Sequence, residues 1–450
     1  MRKGGSSMYK IQLPEKVSYI IRTLQKHGYE AYAVGGCVRD SILGRVPDDW
    51  DITTSATPFE TKELFERTFD TGIEHGTITV LLDRDAFEVT TYRVDGKYED
   101  SRHPKEVTFT RCLSEDLLRR DFTINAMAYN DSEGLVDIFG GIQDLEAKTI
   151  RCVGTARERF GEDALRILRA VRFAAQLGFT IEEETRAGIR ELAPTLANIS
   201  AERIQVELIK MLVSPNPAMI RTAYELGITK VILPEFDRMM ETEQETKHHM
   251  YSVGEHTIKA MEQIRADKVL RLTMLLHDVG KPEMKTFDEN GSAHFKMHDV
   301  KSAEMTKMIL KRLKFDNDTL NKVHKLVQYH DYRIPATPKS VRKAMNLIGE
   351  ELFMSYLEVQ RADTLAQSLY HREEKLANLD GKEACYREIL EKKECVSLKD
   401  LAISGSDLIA AGMAPGKQIG VILNGLLEMV IEEPSYNTKE KLMELKELKF

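Results

Sequence analysis

Two aspartates two residues apart, Asp49 and Asp51, close the stretch from Gly35 to Thr54, GGCVRDSILGRVPDDWDITT. The pattern predicts the end of a strand, a glycine pair, a short helix, and a second strand carrying both aspartates. Side chains two apart on a strand share a face, so both carboxylates can grip one divalent metal cluster. Gly35 and Gly36 carry no side chain to block a phosphate, and the helix start after them offers unpaired N–H groups. Two carboxylates beside a phosphate cradle are the minimum apparatus for metal-assisted phosphoryl or nucleotidyl transfer. In a chain with 72 acids an Asp-x-Asp pair arises by chance, and a lone Gly-Gly is a turn. The order of the two, with an apolar strand before and Thr53-Thr54-Ser55 after, carries the reading.

Two further motifs supply binding chemistry. In LLRRDFTINAMAYN, residues 117–130, Arg119, Arg120 and Asp121 precede a predicted helix start holding Asn125 and Met127. Arginine forks clamp triphosphates, although an isolated RRD reads equally as a solvated helix cap. The third motif runs Gly161-Glu162-Asp163-Ala164-Leu165-Arg166 and continues to Arg169 and Arg172. Asp163 and Arg166, three apart on a predicted helix, face one way, either as an ordinary salt bridge or toward one ligand. A carboxylate accepts from an exocyclic amine and a guanidinium donates to a ring acceptor. Cytosine and adenine both present that order on the Watson–Crick edge, while uracil and guanine present the reverse. One Asp–Arg pair can therefore select C and A without a template, with Arg169 and Arg172 holding phosphates.

GG-x-VRD, DxD, RRDFTxNA and EDALRxxRAxRFA, in this order and spacing, resemble the class II tRNA nucleotidyltransferases, which add CCA to tRNA 3′ ends. That family shares its polymerase-beta-like head with the bacterial poly(A) polymerases. The resemblance covers nearly the whole chain and implies an α+β protein: a nucleotidyltransferase head at 1–150, then helical neck and body at 151–240. It makes Asp49 and Asp51 the catalytic Mg2+ ligands, with Glu88 on FEVTTYR as third carboxylate or, equally, a surface residue facing Arg93. Gly36, Arg39 and Arg120 fall where the family binds triphosphate and sugar. Asp121 and Asn125 order the ribose pocket, Asp163 and Arg166 read the base, and Arg169 and Arg172 support the nucleotide. The implied partners are tRNA, CTP and ATP, with no membrane and no obligate protein partner.

Eight of the twelve histidines lie in residues 248–331. His256, His277-Asp278, His298 and His330-Asp331, with the string HDVGKP, resemble the HD phosphohydrolase superfamily. The resemblance implies an HD domain at 241–335, a helical tRNA-binding tail at 336–450, and a transition metal (nickel, manganese or cobalt) on those six residues. His248, His249, His294 and His324 read as surface or cap residues.

The elements that must position these groups follow from hydrophobic period. EAYAVGG, DWDITTS, GTITVLLD and AFEVTTYRV predict short strands, with the amphipathic PFETKELFERTF between them. The polar DGKYEDSRHPKE, residues 95–106, predicts a loop and matches the family's flexible loop, which favours complete CCA addition over stopping after CC. From Ala156 onward apolar positions recur every three or four residues, so RFGEDALRILRAVRFAAQLG predicts one helix stopped by Gly178. The turn GMAPGKQIG at 412–420 suits either an RNA phosphate contact or a plain helix–helix turn. No eighteen apolar residues run together, MRKGGSSMYK lacks a signal peptide's apolar stretch, and Met1 to Tyr9 reads as a disordered leader or a scar of expression. Five cysteines without C-x-x-C spacing suit a reducing compartment, and cytoplasmic placement is expected. The net charge of −8 excludes a uniformly basic protein, but residues 301–350 hold eleven Lys or Arg against five acids.

The reading is template-independent CCA addition with an inserted HD domain that adds a phosphohydrolase activity. The rivals are an A-adding tRNA enzyme or a poly(A) polymerase and, from another class, an HD phosphohydrolase or nucleotide sensor with an inactive head.

Overall fold

The computed structural model describes residues 9–96 and 107–449. Nearly all of the expected leader and of the loop at 95–106 lie outside the described residues. The chain divides into two compact units, Met1–Pro234 and Glu235–Phe450. Among the described residues no helix is long and apolar enough to cross a membrane.

Unit 1 is built on a seven-stranded mixed sheet. Its order is Thr68–Gly72, Thr77–Leu82, Asp85–Thr91, Asp51–Thr54, Ala31–Val34, Met127–Asn130, Gly134–Asp137. Ala31–Val34 is buried on both faces and pairs antiparallel with Asp51–Thr54, Val34 opposite Asp51. Asp51–Thr54 pairs parallel with Asp85–Thr91, Ile52 opposite Val89. The helix Glu15–Lys26 covers the sheet with Val17, Ile20, Ile21 and Leu24, one face of a 3.6-residue period.

Three elements depart from expectation. Asp49 lies just before the strand, because the neighbouring strand ends at Val34 and Gly35 (φ +81°) turns away, leaving no ladder partner. Thr123–Asn125 is a single 3₁₀ turn and Met127–Asn130 a strand, where the sequence predicted a helix. A central strand buried on both faces is an unbroken apolar run, which periodicity cannot tell from a helix. The predicted long helix is two, Ala156–Glu162 and Leu165–Leu177. Asp163 is extended between them, and its Oδ1 accepts from Leu165 N at 3.0 Å, starting the second helix. Gly178 (φ +72°) ends that helix as expected.

Unit 2 is helical apart from one short two-stranded pair. Lys268–Leu276 packs against Val253–Glu262, Asn317–Tyr329 and Glu350–Leu365, and Asn317–Tyr329 packs against His298–Arg312. Further along, Leu408, Leu426, Val430 and Leu442 form a separate small core. The 412–420 turn joins Gly405–Ala410 to Lys417–Glu432.

Candidate functional site

In unit 1 the sheet assembles an acidic edge. One step back from the Ile52–Val89 pair, the parallel register sets Asp51 beside Glu88. Asp49, Asp51 and Glu88 are exposed there. Although the residue is exposed, desolvation by the surrounding protein raises the Asp51 carboxyl above its ordinary value; Arg120 opposes this and Asp49 adds to it. Burial also raises Glu88, helped by Asp51 and Asp49. Carboxylates that raise one another mark a spot short of positive charge. Arg93, the alternative partner of Glu88, pairs with Asp95 at 3.1 Å.

Beside this edge stand the glycines and arginines. The positive φ of Gly35 favours glycine, and a Cβ there would stand 3.4 Å from Arg120 Nη1. Gly36 opens the short helix Gly36–Ile42, which carries Arg39. Arg120 bonds the fully buried Asp116 at 3.5 Å, and its buried Nε has no partner. Asp116 also accepts from Thr53 Oγ1 and Arg93 N. Burial alone would raise its pKa, but Arg119 and Arg120 outweigh it.

Arg39 Nη1 donates to Asn125 Oδ1 at 2.5 Å, and Asn125 Nδ2 donates to Asp121 Oδ1 at 3.2 Å. Arg169 Nε donates to Asp121 Oδ2 at 2.7 Å. Burial would raise Asp121, yet Arg169 and Arg166 outweigh it and hold the carboxyl down at about 2. The Phe173 ring gathers three guanidiniums: Arg172 at 4.1 Å, Arg39 at 4.9 Å and Arg169 at 5.2 Å from its centroid. Arg172 does not reach outward as the periodicity suggested. It is buried, and Glu207 takes Nε at 2.7 Å, so it props its neighbours instead of meeting a phosphate directly.

Asp163 and Arg166 do not pair with each other in the hydrogen bonds they show. Asp163 Oδ2 accepts from Arg203 at 3.0 Å. Arg166 donates to Glu162 Oε2 at 2.6 Å and to Arg119 O at 2.9 Å. Their side chains are partly exposed, and neither is consumed by an intramolecular Asp163–Arg166 bridge.

Unit 2 brings most of the histidine island to one point. Two groups bring their ligand atoms within 4.8 Å: His256, His277, Asp278 and Asp363, and then Asp278, His298 and His330. Each ring's Nδ1 faces a backbone carbonyl: Ala366 for His256, Met274 for His277, Phe295 for His298, Val327 for His330. Donation from Nδ1 leaves every Nε2 a lone pair aimed at the carboxylates, the arrangement that metal-ligating imidazoles adopt. Asp331 is not part of this cluster; it is partly exposed and pairs with Arg333 at 3.0 Å. Asp363, from the helix Glu350–Leu365, takes that place, 2.7 Å from His256 Nε2. The expected boundary at 335 therefore divides residues that meet in space. His249, read as a surface residue, packs its ring 5.0 Å from that of His256.

Sequence reasoning missed Asp116, Glu207, Phe173 and Asp363. Glu162 had a signal, the Glu-to-Arg spacing of four that marks a helical ion pair. Asp363, 85 residues beyond Asp278, had none.

Comparison with known proteins identifies the family. Residues 31–151 match the poly A polymerase head domain, and 178–240 the probable RNA and SrmB-binding site of polymerase A. Residues 293–445 match a putative tRNA nucleotidyltransferase domain 2. The CCA-adding enzyme of Lactiplantibacillus plantarum is 36% identical over 97% of both chains. That of Enterococcus faecalis is 34% identical over 94% of this chain and 93% of its own. The crystal structure of the Bacillus stearothermophilus CCA-adding enzyme with CTP superposes with TM-score 0.70, at 28% identity and 96% coverage of both chains.

Proposed function

The chain belongs to the CCA-adding enzymes, template-independent nucleotidyltransferases that extend tRNA 3′ ends from CTP and ATP, and we propose that its reaction runs at the acidic edge of unit 1. The observation that carries this is the register setting Asp51 beside Glu88, next to a glycine turn that Arg120 lines. Three carboxylates without thiol or imidazole suit a hard divalent cation, so Asp49, Asp51 and Glu88 would hold magnesium. Magnesium there would lower the pKa of the RNA 3′-hydroxyl and offset charge on the leaving pyrophosphate.

The other roles belong to the chain's own residues. Gly36, Arg39 and Arg120 seat the triphosphate, and Asp121 and Asn125 fix the ribose. Asp163 and Arg166 exchange Arg203 and Glu162 for the base edge when CTP or ATP enters. Arg169 supports the nucleotide, with Phe173 and Arg172 beneath it. The head spans 1–150, the neck and body 151–240, and the site of action is the cytoplasm, where tRNA is the substrate. Incubation with tRNA lacking its CCA end, labelled CTP and labelled ATP tests the reading. Addition of C, C and A supports it; A alone, or a long A tail, means an A-adding enzyme or a poly(A) polymerase. No incorporation means an inactive head.

A second reading applies to unit 2, favoured by four Nε2 lone pairs converging on Asp278 and Asp363. We infer that this HD-like cluster holds nickel, manganese or cobalt, all compatible with imidazole and carboxylate donors. Metal analysis after reconstitution tests it. Asp363→Ala should lower metal affinity about ten- to a hundredfold, and Asp331→Ala should leave it unchanged.

A further inference from the structure

We propose that Asp116 is a positioning residue for nucleotidyl transfer: it holds Arg120 in place for the triphosphate and is itself held by the strand that carries Asp51. This role rests on the triphosphate seat assigned to Arg120 above and adds the group that aims it.

Asp116 lies in the helix Leu113–Leu118 and has no exposed surface. Leu113 and Leu117 of the same helix pack with Tyr32, Val34, Tyr92 and Ala128, so the sheet core fixes where the carboxylate sits. A carboxylate taken out of water must be met by donors. Oδ1 accepts from Arg93 N at 3.2 Å and from Arg119 Nε at 3.2 Å. Oδ2 accepts from Thr53 Oγ1 at 3.1 Å and from Arg120 Nη2 at 3.5 Å. Thr53 stands two residues from Asp51 on one strand, so the two side chains take the same face. The carboxylate that holds Arg120 is therefore tied to the strand of the acidic edge.

One carboxylate faces two guanidiniums here, which leaves one positive charge over, unlike a plain buried ion pair. Burial works against the Arg120 charge; Asp116 is the strongest influence supporting it, and Asp51 follows. Arg120 thus answers to two carboxylates, one locked in the core and one at the acidic edge. Its Nε is buried without a hydrogen-bond partner, so the protein does not use up the guanidinium. A planar fork held on one side and unspent on another keeps donors for phosphate oxygens. Holding the side chain in advance lowers the cost of ordering it when the nucleotide binds. The cap of the same helix serves the base-reading pair as well, because Arg119 O accepts from Arg166 at 2.9 Å.

The test is binding of CTP and of CMP to the full chain by calorimetry in magnesium buffer, with a melting temperature for each variant. Arg120→Gln should weaken CTP about ten- to a hundredfold and leave CMP within about threefold. Asp116→Asn keeps the shape and removes the charge; it should weaken CTP about tenfold and CMP less than about twofold. Thr53→Val frees one Asp116 oxygen from the strand without touching an arginine, and should weaken CTP about two- to threefold. It takes over as the deciding variant if Asp116→Asn does not fold. In the Arg120→Gln background Asp116→Asn should cost no further CTP affinity, since it acts through that side chain. Equal losses for CTP and CMP, or additive losses in the double variant, would make Asp116 structural only and overturn its positioning role. So would an unmoved CTP affinity in the deciding variant while Arg120→Gln still weakens CTP. Normal CTP binding by Arg120→Gln would instead overturn the triphosphate seat itself.

Discussion

The two units handle negative charge in opposite ways. At the acidic edge of unit 1 three carboxylates lie exposed, and the proton affinity of Asp51 and Glu88 is raised by desolvation and by the neighbouring carboxylates, with Arg120 opposing the shift at Asp51. In unit 2, Asp278 and Asp363 are buried among four imidazoles whose nitrogens already point inward. Burial would raise both of those carboxyls, but without a metal the facing imidazoles, in their protonated form, and Lys281 beside Asp278 hold them well below the ordinary range. Among the described residues only unit 2 brings three or more possible ligand atoms within 4.8 Å of one another. One cluster is assembled in advance by helix packing; the other is an open edge, which under the proposed function a nucleotide and its metal would complete. An enzyme that must accept first CTP and then ATP gains from the second arrangement, because its clamps can exchange partners.

The largest expected effect breaks the open site alone. Asp51→Ala should lower nucleotide addition on the order of a thousandfold or more, the loss of several kcal/mol of charge stabilisation. Metal content of unit 2 should not change. Near-normal turnover in magnesium would sink the assignment.

Arg166→Ala sharpens the exchange-of-partners idea. An unpaired polar base edge costs about 1–3 kcal/mol, so discrimination against UTP and GTP should fall roughly ten- to a hundredfold. A merely structural Arg166–Glu162 pair predicts slower incorporation at an unchanged ratio. Single-nucleotide incorporation of all four triphosphates separates the two.

Phe173→Leu should act more gently. Leucine keeps the ring's apolar bulk but removes the cation–π contacts that position Arg169 and Arg39, so KM for CTP and ATP should rise several-fold, on the order of 1 kcal/mol, with kcat nearly kept. Phe173→Tyr should restore KM. A changed melting temperature with unchanged KM would assign the ring to the core only.

The smallest effect is in pH dependence. The Asp121 pKa is depressed from 3.8 to about 2, so the stability it contributes is complete above about pH 4 and is lost as pH falls toward 2. The stability gap between wild type and Asp121→Asn should therefore stay constant from pH 7 to 5 and narrow below 4. Thermal unfolding across that range measures it.

Local spacing alone determined a good part of this protein. Gly35 had to be glycine because the chain reverses there with positive φ, and Gly178 ended its helix for the same reason. Asp51 and Arg166 stand on the strand and helix that their motifs predicted, because each motif lies within a few residues, whereas Asp49 falls before that strand and Asp163 between two helices. Only the tertiary structure decided the rest. Glu88 meets Asp51 through a parallel pairing 37 residues away, and Asp363 displaces Asp331 because a later helix packs on the cluster. Phe173 looked like one more core residue until Arg39, from the distant helix Gly36–Ile42, came to lie over its ring beside Arg169 and Arg172 of its own helix. The reason is common to all three: a hydrophobic period reports which face a residue takes, whereas the neighbour on that face is set by register and packing between distant segments.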